Sequence, residues 1–186
     1  MEAYKRKMYT YADYEKLPQR PAYQLIDGDL VMTPAPTPYH QIILGRMHLT
    51  ITEFVHFNKL GTVFLSPIDV YLSDTETYQP DIIYISNQRR LLIGEKKIEG
   101  APDLVVEILS PGTGYYDLTH KRNVYQTSGV TEYWIVDPQE KTIMVFENGG
   151  GEFRVASEVR KEGKAASTLL SGFMVDAGML FRPIGE

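Results

Sequence analysis

The longest regular pattern of apolar positions in this chain predicts a helix over residues 40–58. The apolar residues recur there at steps of three and four, and so share one helix face: Ile43, Met47, Ile51, Phe54 and Val55. We expect Gly61 to end this helix, because glycine tolerates the left-handed conformation in which helices often terminate. A shorter helical pattern covers residues 9–17, with Thr10 as its N-cap and Pro18 at its end.

Short apolar runs between turn residues predict several strands. Residues 22–32 read as a hairpin, since two apolar runs flank Asp27-Gly28, a dipeptide that favours a type I′ turn. Further strands are predicted on both sides of Pro67, directly after Asp81, over residues 103–108 and 133–136, in a hairpin around glycines 149–151, and with a short helix in the tail. We expect a single domain over residues 1–186, of the α/β class, with a mixed central sheet flanked by helices and peripheral hairpins.

Composition excludes several kinds of site. The chain has no cysteine, which rules out disulfides, thiolate catalysis and Cys-ligated zinc. No apolar run reaches membrane-spanning length and the N-terminus does not resemble a signal peptide, so we expect a cytoplasmic protein with no membrane partner. The net charge of −5 does not attract nucleic acid as a whole, although a local basic cluster stands at Arg89, Arg90, Lys96 and Lys97.

Acidic residues in apolar strands provide the candidate chemistry. Side chains alternate along a strand, so Asp103 and Glu107 share one face of a segment that otherwise reads as buried. A carboxylate in a sheet core is costly unless a cation or hydrogen bonds compensate it. Asp81 opens a neighbouring apolar strand, and if the two strands pair, Asp81 and Glu107 meet at one end of the sheet. Two carboxylates with a backbone carbonyl, for which we expect Ile108, and waters suit Mg²⁺ or Mn²⁺.

A helix after the Glu107 strand carries the candidate cation. Lys121 lies four residues beyond Asp117, so the two share a helix face that leans back over the sheet. The lysine could orient a water or neutralise charge on a reacting phosphate. The remaining polar residues can also be explained by structural roles. Asp103 is typical of a turn, and Asp117 is typical of a helix N-cap. His40 is either structural or a substrate contact, and Tyr133 and Trp134 suit the core.

The order of several motifs resembles a known family. YQLIDGDL, a proline-rich loop ending in His40, QPDIIYI, PDLVVEILSP, the D-x-x-x-K of Asp117 and Lys121, and GVTEYWIVDP follow one another over nearly the whole chain. This order is similar to the Uma2 family of restriction-endonuclease-like proteins, in the PD-(D/E)XK nuclease superfamily. The resemblance implies a restriction-endonuclease-like fold, with Asp81 as the metal-binding aspartate and Glu107 as the acidic residue of the second half-motif. Leu109 stands where the superfamily lysine is usual, which points to Lys121 instead.

The resemblance implies a metal-dependent endonuclease that hydrolyses DNA and pairs as a homodimer, for which Tyr4, Tyr9 and Tyr11 would be exposed contacts. Gln24 departs from the pattern, because family members often carry glutamate there. An amide can still coordinate through its oxygen or position a water. Two alternatives therefore stay open: a nucleic-acid-binding or regulatory protein with little or no catalysis, and a hydrolase of another phosphoester.

Overall fold

The structure is a computed structural model that describes residues 7–18, 21–110 and 116–183, with only the backbone described at residues 116–118. The α-helices are α1 (Tyr11–Tyr14), α2 (Pro38–Phe57), α3 (Arg122–Ser128) and α4 (Ala177–Leu180). The strands are β1 (Tyr23–Ile26), β2 (Asp29–Met32), β3 (Gly61–Leu65), β4 (Val70–Ser73), β5 (Glu76–Tyr78), β6 (Ile82–Ser86), β7 (Ile98–Glu99), β8 (Leu104–Ile108), β9 (Glu132–Asp137), β10 (Thr142–Asn148), β11 (Phe153–Arg160), β12 (Lys164–Ala166) and β13 (Met174–Asp176). A 3₁₀-helix spans Asn87–Leu92, and a π-helical turn, Tyr116–Lys121, leads directly into α3.

A mixed sheet forms the centre of the fold. Its strand order is β11-β10-β9-β8-β6-β3, and β8 and β9 run parallel while the other neighbours are antiparallel. A second sheet has the order β2-β1-β5-β4-β7, and β12 pairs with β13. The predicted mixed α/β architecture with peripheral hairpins is therefore confirmed.

The central sheet is covered on both faces. Leu104, Val106 and Ile108 pack with α2 and the C-terminal segment in one apolar cluster. Val105, on the opposite side of β8, belongs to a second cluster that includes Tyr125 of α3. This alternation follows from the period of two along a strand, and it puts Glu107 on the side of the second cluster. Trp134 and Tyr133 are fully buried on opposite faces of the sheet, which confirms the prediction that both are core residues.

Helix α2 matches the predicted helix in its apolar face and closely in its bounds, but Gly61 does not have the predicted role. Thr37 is the N-cap, and its side chain accepts a hydrogen bond from the His40 backbone N–H at 3.2 Å. The helix ends at Phe57, so the prediction that Gly61 terminates it is wrong. Gly61 instead begins β3, where an added Cβ would lie 2.1 Å from the Ile85 carbonyl oxygen. Glycine is needed there because two backbones approach closely.

The hairpin of β1 and β2 has the predicted turn. Asp27 and Gly28 both have positive φ, 49° and 70°, as a type I′ turn requires. Thr10 caps α1 as predicted, although the helix covers only four residues. Tyr9 and Tyr11 are half-buried rather than exposed, and Tyr4 lies outside the described residues. None of the helices within the described ranges has the length and apolar character needed to cross a membrane.

Candidate active site at one end of the central sheet

The pairing of β6 with β8 brings the two predicted acidic residues together. Ile82 lies opposite Val106 in this antiparallel pair, so the same register continued by one residue brings Asp81 next to Glu107. The Asp81 carboxylate also accepts a hydrogen bond from the Ile108 backbone N–H at 2.7 Å. Both acidic residues therefore stand at one end of the sheet, where β6 begins and β8 ends.

Glu107 is buried, and both Lys121 and Tyr125 donate to its carboxylate. Its Oε1 atom accepts hydrogen bonds from Lys121 Nζ at 2.9 Å and from the Tyr125 hydroxyl at 2.8 Å. Glu107 is 4% exposed and Lys121 is 3% exposed. The ammonium offsets the cost of removing the carboxylate from water, and the pair needs both members for that reason. The structure thus brings Lys121 to Glu107, which the sequence predicted only from the position of its helix.

His40 reaches the same place from α2. Its Nε2 atom lies 3.1 Å from the Ile108 carbonyl oxygen and 3.4 Å from Asp81 Oδ2. A carbonyl oxygen can only accept, so Nε2 carries the proton. Burial lowers the pKa of His40, but the hydrogen bond and charge of Asp81 and the Ile108 carbonyl outweigh it, so the pKa lies above its ordinary value.

Two other predicted residues, Asp103 and Asp117, lie away from the site or have side chains outside the described part of the chain. Asp103 is at the far end of β8, where it accepts a hydrogen bond from the Ser86 N–H at 2.7 Å and lies 3.5 Å from Arg89. These contacts give Asp103 a structural role, but not the local turn that was predicted, because its partners lie 14 and 17 residues away in the chain. The backbone of Asp117 lies in the π-helical turn, but its side chain falls outside the described part of the chain.

Gln24 joins two segments beside the site. Its Oε1 atom accepts a hydrogen bond from the backbone N–H of Gln79 at 3.1 Å, two residues before Asp81. Its Nε2 atom donates to Thr33 Oγ1 at 3.3 Å. The amide therefore ties β1 and the end of the first hairpin to the segment that leads into Asp81.

Several residues that complete the site were missed from the sequence. Tyr125 lies four residues after Lys121, and this helical spacing was a usable signal for a shared face. Glu76, Tyr78 and His120 form a second polar group next to Lys121. Glu76 and Tyr78 belong to β5, a strand of three residues, and no alternation of apolar and polar residues predicts it.

The donor set suits a divalent cation of the magnesium type. The Asp81 carboxylate and the Ile108 carbonyl both lie within 3.4 Å of His40 Nε2, so these two oxygens are close to each other. Together with the carboxylate of Glu107, the residue before Ile108, they are hard oxygen donors, and Mg²⁺ is commonly held by one or two carboxylates together with waters. Among the residues that the structure describes, no group of three or more His, Cys, Asp or Glu side chains forms a metal cluster. A cation here would thus keep much of its hydration.

Comparisons with known proteins agree with this architecture. Residues 11–177 match the model of a family named Uma2 and described as "Putative restriction endonuclease". A crystal structure titled as "a putative nuclease belonging to DUF820" from Anabaena variabilis ATCC 29413 is similar in fold, with a TM-score of 0.77. That protein is 24% identical, and the match covers 92% of this chain and 97% of that chain. A search of curated proteins finds no match.

Proposed function

The chain belongs to the Uma2 family of restriction-endonuclease-like proteins, and on this premise we propose that it is a metal-dependent endonuclease that hydrolyses phosphodiester bonds of DNA. One observation carries the proposal. Asp81 and Glu107 lie at the same end of the sheet, where Asp81 accepts a hydrogen bond from the backbone N–H of the residue after Glu107, and the buried ammonium of Lys121 lies 2.9 Å from Glu107. Buried acidic residues beside a buried cation are costly to maintain and are typical of functional sites.

The site residues would have two roles, which are to bind the metal ion and to stabilise charge on the substrate. Asp81, Glu107 and the Ile108 carbonyl would hold Mg²⁺ or Mn²⁺. Such an ion, when bound, polarises a phosphodiester oxygen and lowers the pKa of a nearby water. Lys121 supplies a fixed positive charge in a site largely closed to water, where it can orient the attacking water or stabilise charge that develops on the phosphate.

Two further side chains hold the ligands in place. The Tyr125 hydroxyl fixes one oxygen of Glu107, and His40 contacts both Asp81 and the Ile108 carbonyl. Hydrogen bonds of this kind orient a ligand and keep its oxygen directed toward the metal. We therefore assign supporting roles to His40 and Tyr125.

Cleavage of supercoiled plasmid DNA tests the proposal. We expect nicking with Mg²⁺ or Mn²⁺, none with EDTA, and a loss on the order of a hundredfold or more in Glu107→Gln and Lys121→Ala. The matched controls are Glu147→Gln and Lys164→Ala, since both residues are exposed and lie outside the site. Thermal melting would show that each variant is folded. Full metal-dependent cleavage by folded Glu107→Gln would disprove the proposal.

Gln24 supports an alternative, a nucleic-acid-binding or regulatory protein with weak or no catalysis. An amide brings no charge to the metal, and its oxygen already accepts the Gln79 N–H. Calorimetric titration with Mg²⁺ and Mn²⁺ separates the two functions, because a site that binds neither ion favours the alternative. If metal binds but DNA is not cut, a panel of other phosphoesters should be tested.

The assembly and location of the protein stay predictions. Superfamily resemblance favours a homodimer, while the length of the chain favours a single domain and its composition a cytoplasmic location. The half-burial of Tyr9 and Tyr11 removes one argument for their part in a dimer interface. Sedimentation velocity of the full chain, with and without DNA, would measure its oligomeric state.

A further inference from the structure

The Glu76 carboxylate connects three separate parts of the chain next to the candidate site. It accepts hydrogen bonds from the backbone N–H of Asp27 in the first hairpin turn, at 3.1 Å, and from the Tyr78 hydroxyl. His120 Nε2 lies 3.0 Å from the other carboxylate oxygen. The Glu76 side chain is 12% exposed and that of His120 is 33% exposed, so their contact is partly shielded from water.

His120 and Lys121 are neighbours in the chain and attach one helical turn to two strands. Consecutive side chains on a helix point roughly 100° apart. His120 therefore meets Glu76 on β5, while Lys121 meets Glu107 on β8. Two attachment points at adjacent residues restrict both the rotation and the height of this turn over the sheets.

Tyr78 links the two attachment points. Its hydroxyl binds Glu76, and its ring lies 5.6 Å from Lys121 Nζ, within the range of a cation–π contact. The same ring packs edge-on against Tyr125, with centroids 5.5 Å apart, and the Tyr125 hydroxyl donates to Glu107. A continuous set of contacts thus runs from Glu76 to the carboxylate that holds the lysine.

We propose that Glu76, Tyr78 and His120 form a latch whose role is to position Lys121 for the reaction. The inference rests on the proposed function, and it assigns these three side chains as positioning residues rather than catalytic ones. A lysine has a long flexible stem, so a fixed ammonium position requires restraint of its backbone as well as its head group. The turn that carries it is π-helical, a rare geometry that is frequent at functional sites. The latch supplies the restraint at the residue directly before Lys121.

A pair of variants at His120 tests this positioning role through steady-state cleavage kinetics. His120→Leu removes the donor to Glu76 at similar size, and we expect kcat to fall on the order of tenfold to a hundredfold with little change in KM. His120→Gln restores an N–H donor and should recover most of the loss. Tyr78→Phe keeps the ring beneath Lys121 but loses the hydroxyl, and we expect a smaller fall in kcat. The control is His56→Leu, on the exposed face of α2.

The ammonium of Lys121 provides a readout that does not depend on activity. Side-chain ¹⁵N NMR of labelled lysine should show one slowly exchanging ammonium signal in the wild type, identified by its loss in Lys121→Ala. We expect His120→Leu to shift or broaden this signal and His120→Gln to restore it. A wild type without nuclease activity but with this NMR pattern would refute the proposed function and support the latch. If folded His120→Leu keeps the wild-type kcat and an unchanged ammonium signal, the latch is disproved.

Discussion

Glu132 has a fully buried carboxylate, and the groups that compensate its charge differ from those around Glu107. It accepts hydrogen bonds from Trp134 Nε1, the Ser167 hydroxyl, both the backbone N–H and the hydroxyl of Thr168, and the Leu169 N–H, at 2.6–3.0 Å. All five of these donors are neutral. Hydrogen bonds to a charged acceptor are stronger than neutral ones, and together they can replace a cation. The carboxylate thereby fastens the segment before β13 to the central sheet.

Glu132→Gln should lower the free energy of unfolding by about 3 kcal/mol, because an amide turns one acceptor oxygen into a donor that faces other donors. Chemical denaturation in urea measures this change. Glu158→Gln on β11 is the control, since Glu158 is exposed, and its effect should stay within about 0.5 kcal/mol. Equal stability of the two variants would show that the hydrogen bonds of Glu132 contribute little.

Comparison of Glu107 with Glu132 shows which part of the site the sequence could predict. The desolvation argument applies to both residues, since each stands in an apolar strand. Sequence cannot say whether a lysine or neutral donors will compensate the charge, because the partners lie at distant positions in the chain. Lys121 was predicted from its helix after the Glu107 strand, whereas Ser167 and Thr168 carried no signal that linked them to Glu132.

At the scale of elements, length decided which predictions succeeded. The apolar face of α2 recurs from Ile43 to Val55 and was predicted with its core residues. Strand β5 has three residues and only a local pattern, so it was missed together with Glu76. The predicted end of α2, at residue 58, lies one residue from the observed end at Phe57. Only the interpretation of Gly61 as the helix stop was wrong: glycine is needed there because the β6 backbone comes close, which is a tertiary contact.

Two glycines in neighbouring elements should respond oppositely to alanine. In Gly61→Ala the new Cβ would lie 2.1 Å from the Ile85 carbonyl oxygen, so β3 and β6 must separate and stability should fall by about 2 kcal/mol. In Gly45→Ala nothing lies within 4 Å of the new Cβ, and alanine in a helix interior should stabilise by about 0.5–1 kcal/mol. Thermal melts of both variants measure the two signs. A stabilising Gly61→Ala would contradict the close approach of the strands.

At the scale of the whole molecule, topology assembles the site from distant segments. Parallel pairing of β8 with β9 requires a crossover, and the π-helical turn and α3 supply it on the face that carries Glu107. Residues from α2, β6, β8 and the crossover then meet at one sheet end. Family resemblance predicted this set of residues, but the register between β6 and β8 that aligns Asp81 with Glu107 depends on long-range packing that the sequence does not display.

Buried tyrosines should make the folded protein sensitive to alkali. Burial raises the pKa of Tyr125, and the charge of Glu107 raises it further. Burial, followed by the hydrogen bond to Glu76, raises the pKa of Tyr78. A folded-state pKa above the unfolded value contributes stability that is complete below about pH 10 and is lost as pH rises toward the folded pKa, because only the unfolded chain then releases these protons.

The free energy of unfolding should therefore decline above about pH 10, and in Tyr125→Phe the decline should be shallower by up to about 1.4 kcal/mol per pH unit. Urea denaturation at a series of pH values measures both slopes. Phenolate absorbance gives a second measurement: all 13 tyrosines should titrate near pH 10 in concentrated urea, whereas in the folded protein the buried ones should ionise only as the circular dichroism signal is lost. Complete ionisation in a protein that keeps its native circular dichroism would show that Tyr78 and Tyr125 are open to solvent. That result would also contradict the water-excluded setting on which the roles of Lys121 and Glu107 depend.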